Sequence, residues 1–472
     1  MNIAAKNNTA PALTVAIIGG GFTGAAVAYH LARHRGAERS DILVFEPRSA
    51  IGKGLAYDSS DPTHRINVPA GRMSLFPDQP EHFALWLASN DVLADDPGAY
   101  RADGSVFPRR SVFGDYVLSQ VKPLLEAGLI RHIRAQVMHI AKTDTRWQVE
   151  DSEGNRVSAD ILVIAATHPA PQPPARLASA LEGHPRYVAD ATRPDALEPI
   201  RTSDRVLVVG NGLTAADVIA SLRARGHKGR ILSISRRGLR SRGHPAVPQE
   251  PYGDFLSPPP RTALELLMRA RTAVRAAEAA GFSWHAALDQ VRAQARPIWQ
   301  NLPIVERRRL VGHLRVFWDV HRFRIAPQVE QALDQAVVEG DLEIAAGSIL
   351  SASRTGETMD VVIRRRGGAP ETSQFDAVVI TTGPAHGGIL ASQPWLSDLA
   401  KAGSLTMDPT GLGLGCNEKG EALDLDGKPQ PDLLIAGPLA RGVFGELMGL
   451  PQVSEYAAFI ADRVARSIAA LR

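Results

Sequence analysis

The stretch "LTVAIIGGGFTGAAVAYHLARH" (Leu13–His34) decides how the chain is read. A short apolar run ends at a glycine cluster, and an alanine-rich run with helical periodicity follows. Glycine has a distinct task at each of three positions. Gly19 permits the tight turn, Gly21 lets the backbone approach a pyrophosphate, and Gly24 lets the helix pack closely on the strand. The N–H groups at the helix start then face the phosphates, with the helix dipole behind them. The spacing alone is common; the strand before it and the helix after it make it informative. The next apolar run, "DILVFEP", ends in Glu46, whose carboxylate can accept hydrogen bonds from both hydroxyls of a ribose.

The same pattern returns. "RVLVVGNGLTAADVIASLRARG" (Arg205–Gly226) supplies Gly210 and Gly212, with Ala215 in place of the third glycine and Thr214 at the helix start. The strand after it, "GRILSISRRG", leads into Arg236 and Arg237 instead of an acid. Each turn is followed by a hairpin and a buried apolar strand. The first hairpin turns at Glu153–Asn155 and precedes Ile161–Ala165; the second precedes Ala377–Thr381. A motif, hairpin and strand repeated in one order indicate duplicated architecture. The fold class is therefore α/β, with two Rossmann-like dinucleotide-binding domains. The residues after each second strand separate the ligands. Glu46 suits a bare ribose and repels a 2′-phosphate, whereas Arg236 and Arg237 attract one. The first turn is assigned FAD and the second NADPH.

The expected boundaries follow from these marks. A first FAD-binding part spans residues 11–170, ending near the proline-rich linker Pro169–Pro174. An NAD(P)H-binding domain spans 171–380, interrupted by a helical insertion at about 257–340. Residues 381–472 return to the FAD domain. In the insertion, Trp318, His321, Arg322 and Arg324 are expected near substrate, where arginines would suit a carboxylate; a bundle of packing helices is the alternative.

Composition excludes several classes. The chain has 472 residues, 44% hydrophobic and 22% charged, with 53 Lys and Arg against 50 Asp and Glu. That gives a net charge of only +3, so nothing demands nucleic acid. The runs Arg307–Arg309 and Arg364–Arg366 read as solvated faces. Cys416 is the one cysteine, so no internal disulfide or Cys-x-x-Cys redox pair can form. Histidine spacing gives no metal ligand set, and His313 and His321 read as packed or surface groups. No Gly-x-Ser-x-Gly elbow supports a hydrolase. The first twelve residues lack an apolar signal core, and no apolar run reaches a membrane span. A cytoplasmic location without membrane partners is expected; oligomeric state is not legible.

The chain resembles the two-dinucleotide-binding-domain flavoproteins, which include the class B monooxygenases, and within them the bacterial FAD/NAD(P)-binding proteins. The resemblance rests on "GGGFTG", "GKGLAYDSSDPTHRINVPAGRMSLFPDQPEHFALWL", "FPRRSVFGDYV", "VGNGLTAADV", "SRRG", "FWDVHRFRIAP" and "LLIAGPLARGVFGELMGLPQV". It implies that Arg48, Asn67 and Met73 lie along FAD, that the Val137 backbone touches the adenine, and that Gly437 and Pro438 approach the ribityl chain. Such flavoproteins usually carry Gly-Asp at the last position. Pro438 offers neither a side-chain acceptor nor an N–H, so this position departs from the family's carboxylate–ribityl contact. The resemblance implies an NADPH-using flavoenzyme. The leading expectation is a monooxygenase that hydroxylates a small substrate, an amine or amino acid, through a flavin C4a-hydroperoxide, with Asn67 stabilising that intermediate. The alternatives are an NADPH-dependent reductase serving a quinone or protein, and a non-catalytic FAD/NADPH-binding sensor.

Overall fold

The computed structural model describes residues 12–35, 37, 40–383 and 386–470. The polar opening stretch Met1–Pro11, read above for a signal core, lies outside the described residues.

The two glycine turns sit at equivalent places in two sheets. In the first, Leu13–Ile18 lies between Ser40–Phe45 and Ile161–Ile164, parallel to both. Beyond Ile161–Ile164 lies Pro429–Ile435, so the C-terminal segment re-enters the first domain. In the second, Val206–Val209 lies between Ile231–Ser235 and Ala377–Ile380, again parallel to both. Strands Ile161–Ile164, Val206–Val209 and Ala377–Ile380 are buried end to end, which a parallel sheet covered on both faces requires. The helices that follow the turns, Phe22–Ala32 and Leu213–Ala224, are also largely buried.

The hairpins differ between the halves. Val137–Lys142, Trp147–Asp151 and Arg156–Ala159 form a separate antiparallel sheet in the first domain. In the second, Leu342–Thr355 pairs in parallel with Ile231–Ser235, then runs on as an antiparallel partner of Thr358–Arg365. One long strand thus serves both sheet types.

Helix Pro327–Val338 buries Val329, Leu333 and Ala336 in the same apolar cluster as Ala215, Val218 and Ile219 of Leu213–Ala224. It leads into strand Leu342–Thr355, so it is the crossover helix of the second domain itself. The helices inserted into that domain therefore run from Ala263 to Arg322 and have their own small core around Phe255, Val291, Ile298 and Leu302.

The domains meet along Leu213–Ala224. Arg110 grips Asp217 with two nitrogens, at 2.8 and 3.2 Å, and both side chains are mostly buried. One turn further on, Ser221 and Thr63 hydroxyls lie 3.1 Å apart. Asp217 is thus an interdomain anchor. Breaking a buried pair from one side strands the other charge, at a cost of about 3–5 kcal/mol. Asp217→Ala is expected to lower the thermal midpoint and to speed proteolysis in the Pro169–Pro174 linker. Adding Arg110→Ala should restore part of the loss, measured by differential scanning calorimetry of both variants.

Candidate dinucleotide-binding site

The glycines of the two turns sort into two kinds. Gly19 and Gly210 have φ of +104° and +129°, which L side chains rarely adopt. A Cβ on Gly19 would stand 2.7 Å from the Ala165 carbonyl oxygen, and one on Gly210 would stand 2.7 Å from that of Thr381. A Cβ on Gly24 would meet the Gly19 oxygen at 1.9 Å. These positions are glycine because the protein itself leaves no room. Gly21 and Gly212 differ. Their φ values are −65° and −85°, open to any residue. A Cβ on Gly21 would make only an ordinary 3.5 Å contact with Gly54, and one on Gly212 would meet no atom within 4 Å. The folded chain does not exclude a side chain at either position; a dinucleotide lying across the helix N-terminus would. This is the fit expected for FAD at the first turn and NADPH at the second.

A cavity of about 960 Å³ opens in front of the first turn. It is lined by Gly19, Gly21, Glu46, Arg48, Val137 and Pro438, the residues expected along FAD. Its far wall belongs to the second domain, through Thr214, Asp217 and Ser221. Glu46 is buried and accepts a hydrogen bond from the Gly20 N–H at 3.1 Å. Its other oxygen accepts from the Arg48 guanidinium at 3.0 Å. The carboxylate is therefore fixed in position at the cavity wall by a hydrogen bond to each oxygen. Gly437 approaches the same turn, because a Cβ there would stand 2.7 Å from Thr23 Oγ1.

Asn67 and Met73 are placed elsewhere. Met73 is buried in the core of the first domain. The Asn67 carbonyl accepts a hydrogen bond from His244 Nε2 at 3.0 Å, which ties it to a loop of the second domain. Neither is among the residues lining the cavity.

At the second turn, strand register refines the expected counterpart of Glu46. Ile18 pairs with Phe45 and Val209 with Ile234, so Ser235 occupies the place of Glu46. Arg236 and Arg237 follow directly and are exposed. They enter no ion pair among the described residues; Arg237 lies 4.8 Å from the Phe317 ring centroid. The Asn211 side chain is buried beside this turn, and its amide nitrogen has no partner among the described residues.

The expected substrate residues divide. Trp318 and His321 line a second cavity, inside the insertion. Arg322 and Arg324 line neither cavity, and their charges are already taken. Arg322 donates to Glu446 at 2.6 Å, and Arg324 grips Asp289 at 2.7 and 3.1 Å. A substrate carboxylate would have to displace a formed pair.

Sequence reading passed over His168 and Lys53, which line the larger cavity. Burial, reinforced by Arg441 and Arg315, pushes His168 down to about 4. Burial likewise holds His244 near 4, with Arg324 adding to the effect. Among the described residues no cluster of His, Cys, Asp or Glu could hold a metal, and no helix is long and apolar enough to cross a membrane.

With this geometry in place, comparison with known proteins is informative. A sequence family described as FAD-NAD(P)-binding matches residues 16–169. No curated protein matches the chain significantly. Among solved structures, an ornithine hydroxylase from Pseudomonas aeruginosa is similar over 97% of this chain and 99% of its own, at 16% identity and a TM-score of 0.64. An ornithine N-hydroxylase from Kutzneria sp. 744 covers 98% and 100%, at 17% identity and 0.63. An L-lysine 6-monooxygenase from Pseudomonas syringae covers 97% and 99%, at 18% identity and 0.62. The chain thus carries an FAD-NAD(P)-binding domain over residues 16–169 and, along its whole length, the fold of these two-dinucleotide-binding-domain enzymes.

Two outcomes test the site. Gly21→Ala should purify with little FAD and an unchanged apoprotein melting temperature, whereas Gly24→Ala should fail to fold; flavin absorbance and calorimetry read both. Separately, His168 and His244 are neutral when folded near pH 6, but protonate near 6.5 when unfolded. The unfolded chain therefore binds more protons between pH 6.5 and 4, and stability falls as pH drops through that window. Gln at both positions should flatten the slope of a pH series of urea melts.

Proposed function

We propose that the chain is an FAD-dependent, NADPH-using monooxygenase acting on a small organic substrate. The observation that carries this reading is the pair of open cradles. Gly21 with Glu46 suits a dinucleotide with a bare ribose, and Gly212 with Arg236 and Arg237 suits one with a 2′-phosphate. When bound, a flavin supplies two-electron transfer and, with oxygen, oxygen-atom transfer to an organic substrate. The protein's part is to bind, orient and exclude water. The N-terminus of Phe22–Ala32 receives the pyrophosphate, Glu46 receives the ribose hydroxyls, and Met448, Gly449 and Leu450 close the cavity from the return segment. His168 brings no positive charge to this cavity at neutral pH, because burial keeps its imidazole neutral.

Two further observations support oxygenation over disulfide reduction. Cys416 is the only cysteine of the chain, and burial pushes its thiol up to about 12. The structural relatives named above are amine hydroxylases by title, which makes amines and amino acids the first substrates to try.

The purified holoprotein should oxidise NADPH faster than NADH, and oxidation should rise when an oxygenation substrate is added. Replacing both Arg236 and Arg237 with Ala should weaken NADPH binding by about ten- to a hundredfold, the loss expected for charge-assisted hydrogen bonds, and leave NADH unchanged. An unchanged NADPH preference would remove the basic turn from the site. Flavin reduction with no oxygenated product from any amine or amino acid would shift the assignment to a reductase. No flavin reduction at all would leave a binding protein.

A further inference from the structure

The inserted helices enclose a cavity of about 910 Å³, within the size range of sites that hold small organic ligands. Its walls are apolar, with Leu266, Leu288, Ile298, Leu310 and Trp318 contributed by successive helices. One wall contains a π-helical turn, Leu310–Leu314, a local irregularity often retained at functional sites. The return segment closes one side with Arg441, Gly445 and Glu446. The charged groups at this closed side are nearly all paired with one another. Arg315 donates to Asp319 at 3.2 Å, and Glu446 accepts from Arg322 at 2.6 Å. Arg441 is the exception. It is 6% exposed, it enters no ion pair among the described residues, and its Nε and Nη1 have no hydrogen-bond partner there. The carboxylates of Asp319, Glu446 and Asp408 act on its charge through space, but the two buried donors still lack an acceptor, and the space in front of them is apolar.

We propose that this cavity binds an apolar carboxylic acid, with its chain between the inserted helices and its carboxylate on Arg441. A carboxylate fits a guanidinium in two parallel hydrogen bonds, so the missing partner and the vacant donors are supplied together. Burial lowers Arg441 to about 10, still protonated at neutral pH, so the charge persists to meet the acid. An amine head group would add a further cation beside Arg441, Arg315 and Arg322. An alcohol would fill the apolar space but could not take both vacant donors of Arg441 as a carboxylate does. The site does not depend on oxygenation, because binding alone defines it. It does touch the larger cavity, since His168, which lines that cavity, feels the charges of both Arg441 and Arg315.

The test uses the FAD-loaded full chain and its own fluorescence, because Trp284, Trp299 and Trp318 all line the cavity. The probes are decanoic acid, decanol and decylamine, which share a chain and differ in head group. Decanoic acid should bind about ten- to a hundredfold more tightly than decanol, with decylamine weakest. Arg441→Gln should abolish the preference for acid over alcohol. Ala270→Trp, which fills the cavity, should block all three. Arg271 and Arg275 also line the cavity but are exposed, so Arg271→Gln/Arg275→Gln should fold and keep the acid preference. Flavin content and melting temperature report on folding in each variant. The proposal is overturned if acid and alcohol bind equally, if no probe binds, if the acid preference survives in a folded Arg441→Gln protein, or if it disappears in the Arg271/Arg275 variant. Should Arg441→Gln not fold, the wild-type head-group ratio and the Arg271/Arg275 variant decide between the two ends of the cavity.

Discussion

The ion pair between Arg110 and Asp217 holds the two halves of the molecule in one working arrangement. Each half is a complete sheet-and-helix unit with its own buried strands, and neither needs the other for its core. What they need from each other is position. Asp217 sits just over one turn inside the helix that begins at the second glycine turn, so pairing it with the first domain sets where that helix N-terminus faces. With this contact made, Thr214, Asp217 and Ser221 become a wall of the cavity that opens at the first turn. Two sites that the sequence presents as separate repeats thereby border one space. An exposed ion pair would give little orientation, but here both partners are mostly removed from water, and the geometry is bidentate.

A second constraint acts on the segment between the last strand of the first sheet and the C-terminal helix. It is short, irregular and surrounded. Arg322 holds Glu446, Arg292 donates to the Leu450 carbonyl at 2.8 Å, and the Trp299 indole donates to the Gly442 carbonyl at 2.8 Å. All three come from the inserted helices. The same segment lines the larger cavity through Met448, Gly449 and Leu450. The insertion is therefore a brace for the cofactor cavity as well as a container with a cavity of its own. A ligand in the insertion would act directly on the chain that borders the cofactor.

Much of this was legible in the sequence, and the reasons differ from place to place. The duplicated sheet was legible because strand, glycine turn and helix recur with the same spacing, and a Rossmann unit cannot form without them. Glu46 was legible as a cavity residue because it ends the strand that follows the glycine turn, and Val137 because of the resemblance noted in the sequence. The fate of Arg322 and Arg324 was not. Their partners, Glu446 and Asp289, lie 124 and 35 positions away, and no periodicity links them. Asp217 was visible but unexplained for the same reason, since Arg110 lies 107 positions before it. The role of helix Pro327–Val338 as a crossover was not legible because its amphipathic pattern is like that of the helices before it. Only the buried face it shares with Leu213–Ala224 marks it as part of the second domain.

The glycines show how far local reading can go. A Gly-x-Gly-x-x-Gly string treats its members alike, yet the structure separates them by what a side chain would meet. Gly19, Gly24 and Gly210 are fixed by carbonyl and hydroxyl oxygens of the chain, and would be needed in a fold that bound nothing. Gly21 and Gly212 are not, since their dihedrals are ordinary and their surroundings admit a methyl group. Ala215 makes the same point from the other side. It replaces a glycine at the helix-packing position, and the helix still buries it fully against the sheet. The packing glycine was exchanged in the second half while the open one at Gly212 was retained, in a position where alanine would favour the folded state by narrowing the unfolded chain. Folding alone gives no reason to keep it; a phosphate group crossing that helix end does.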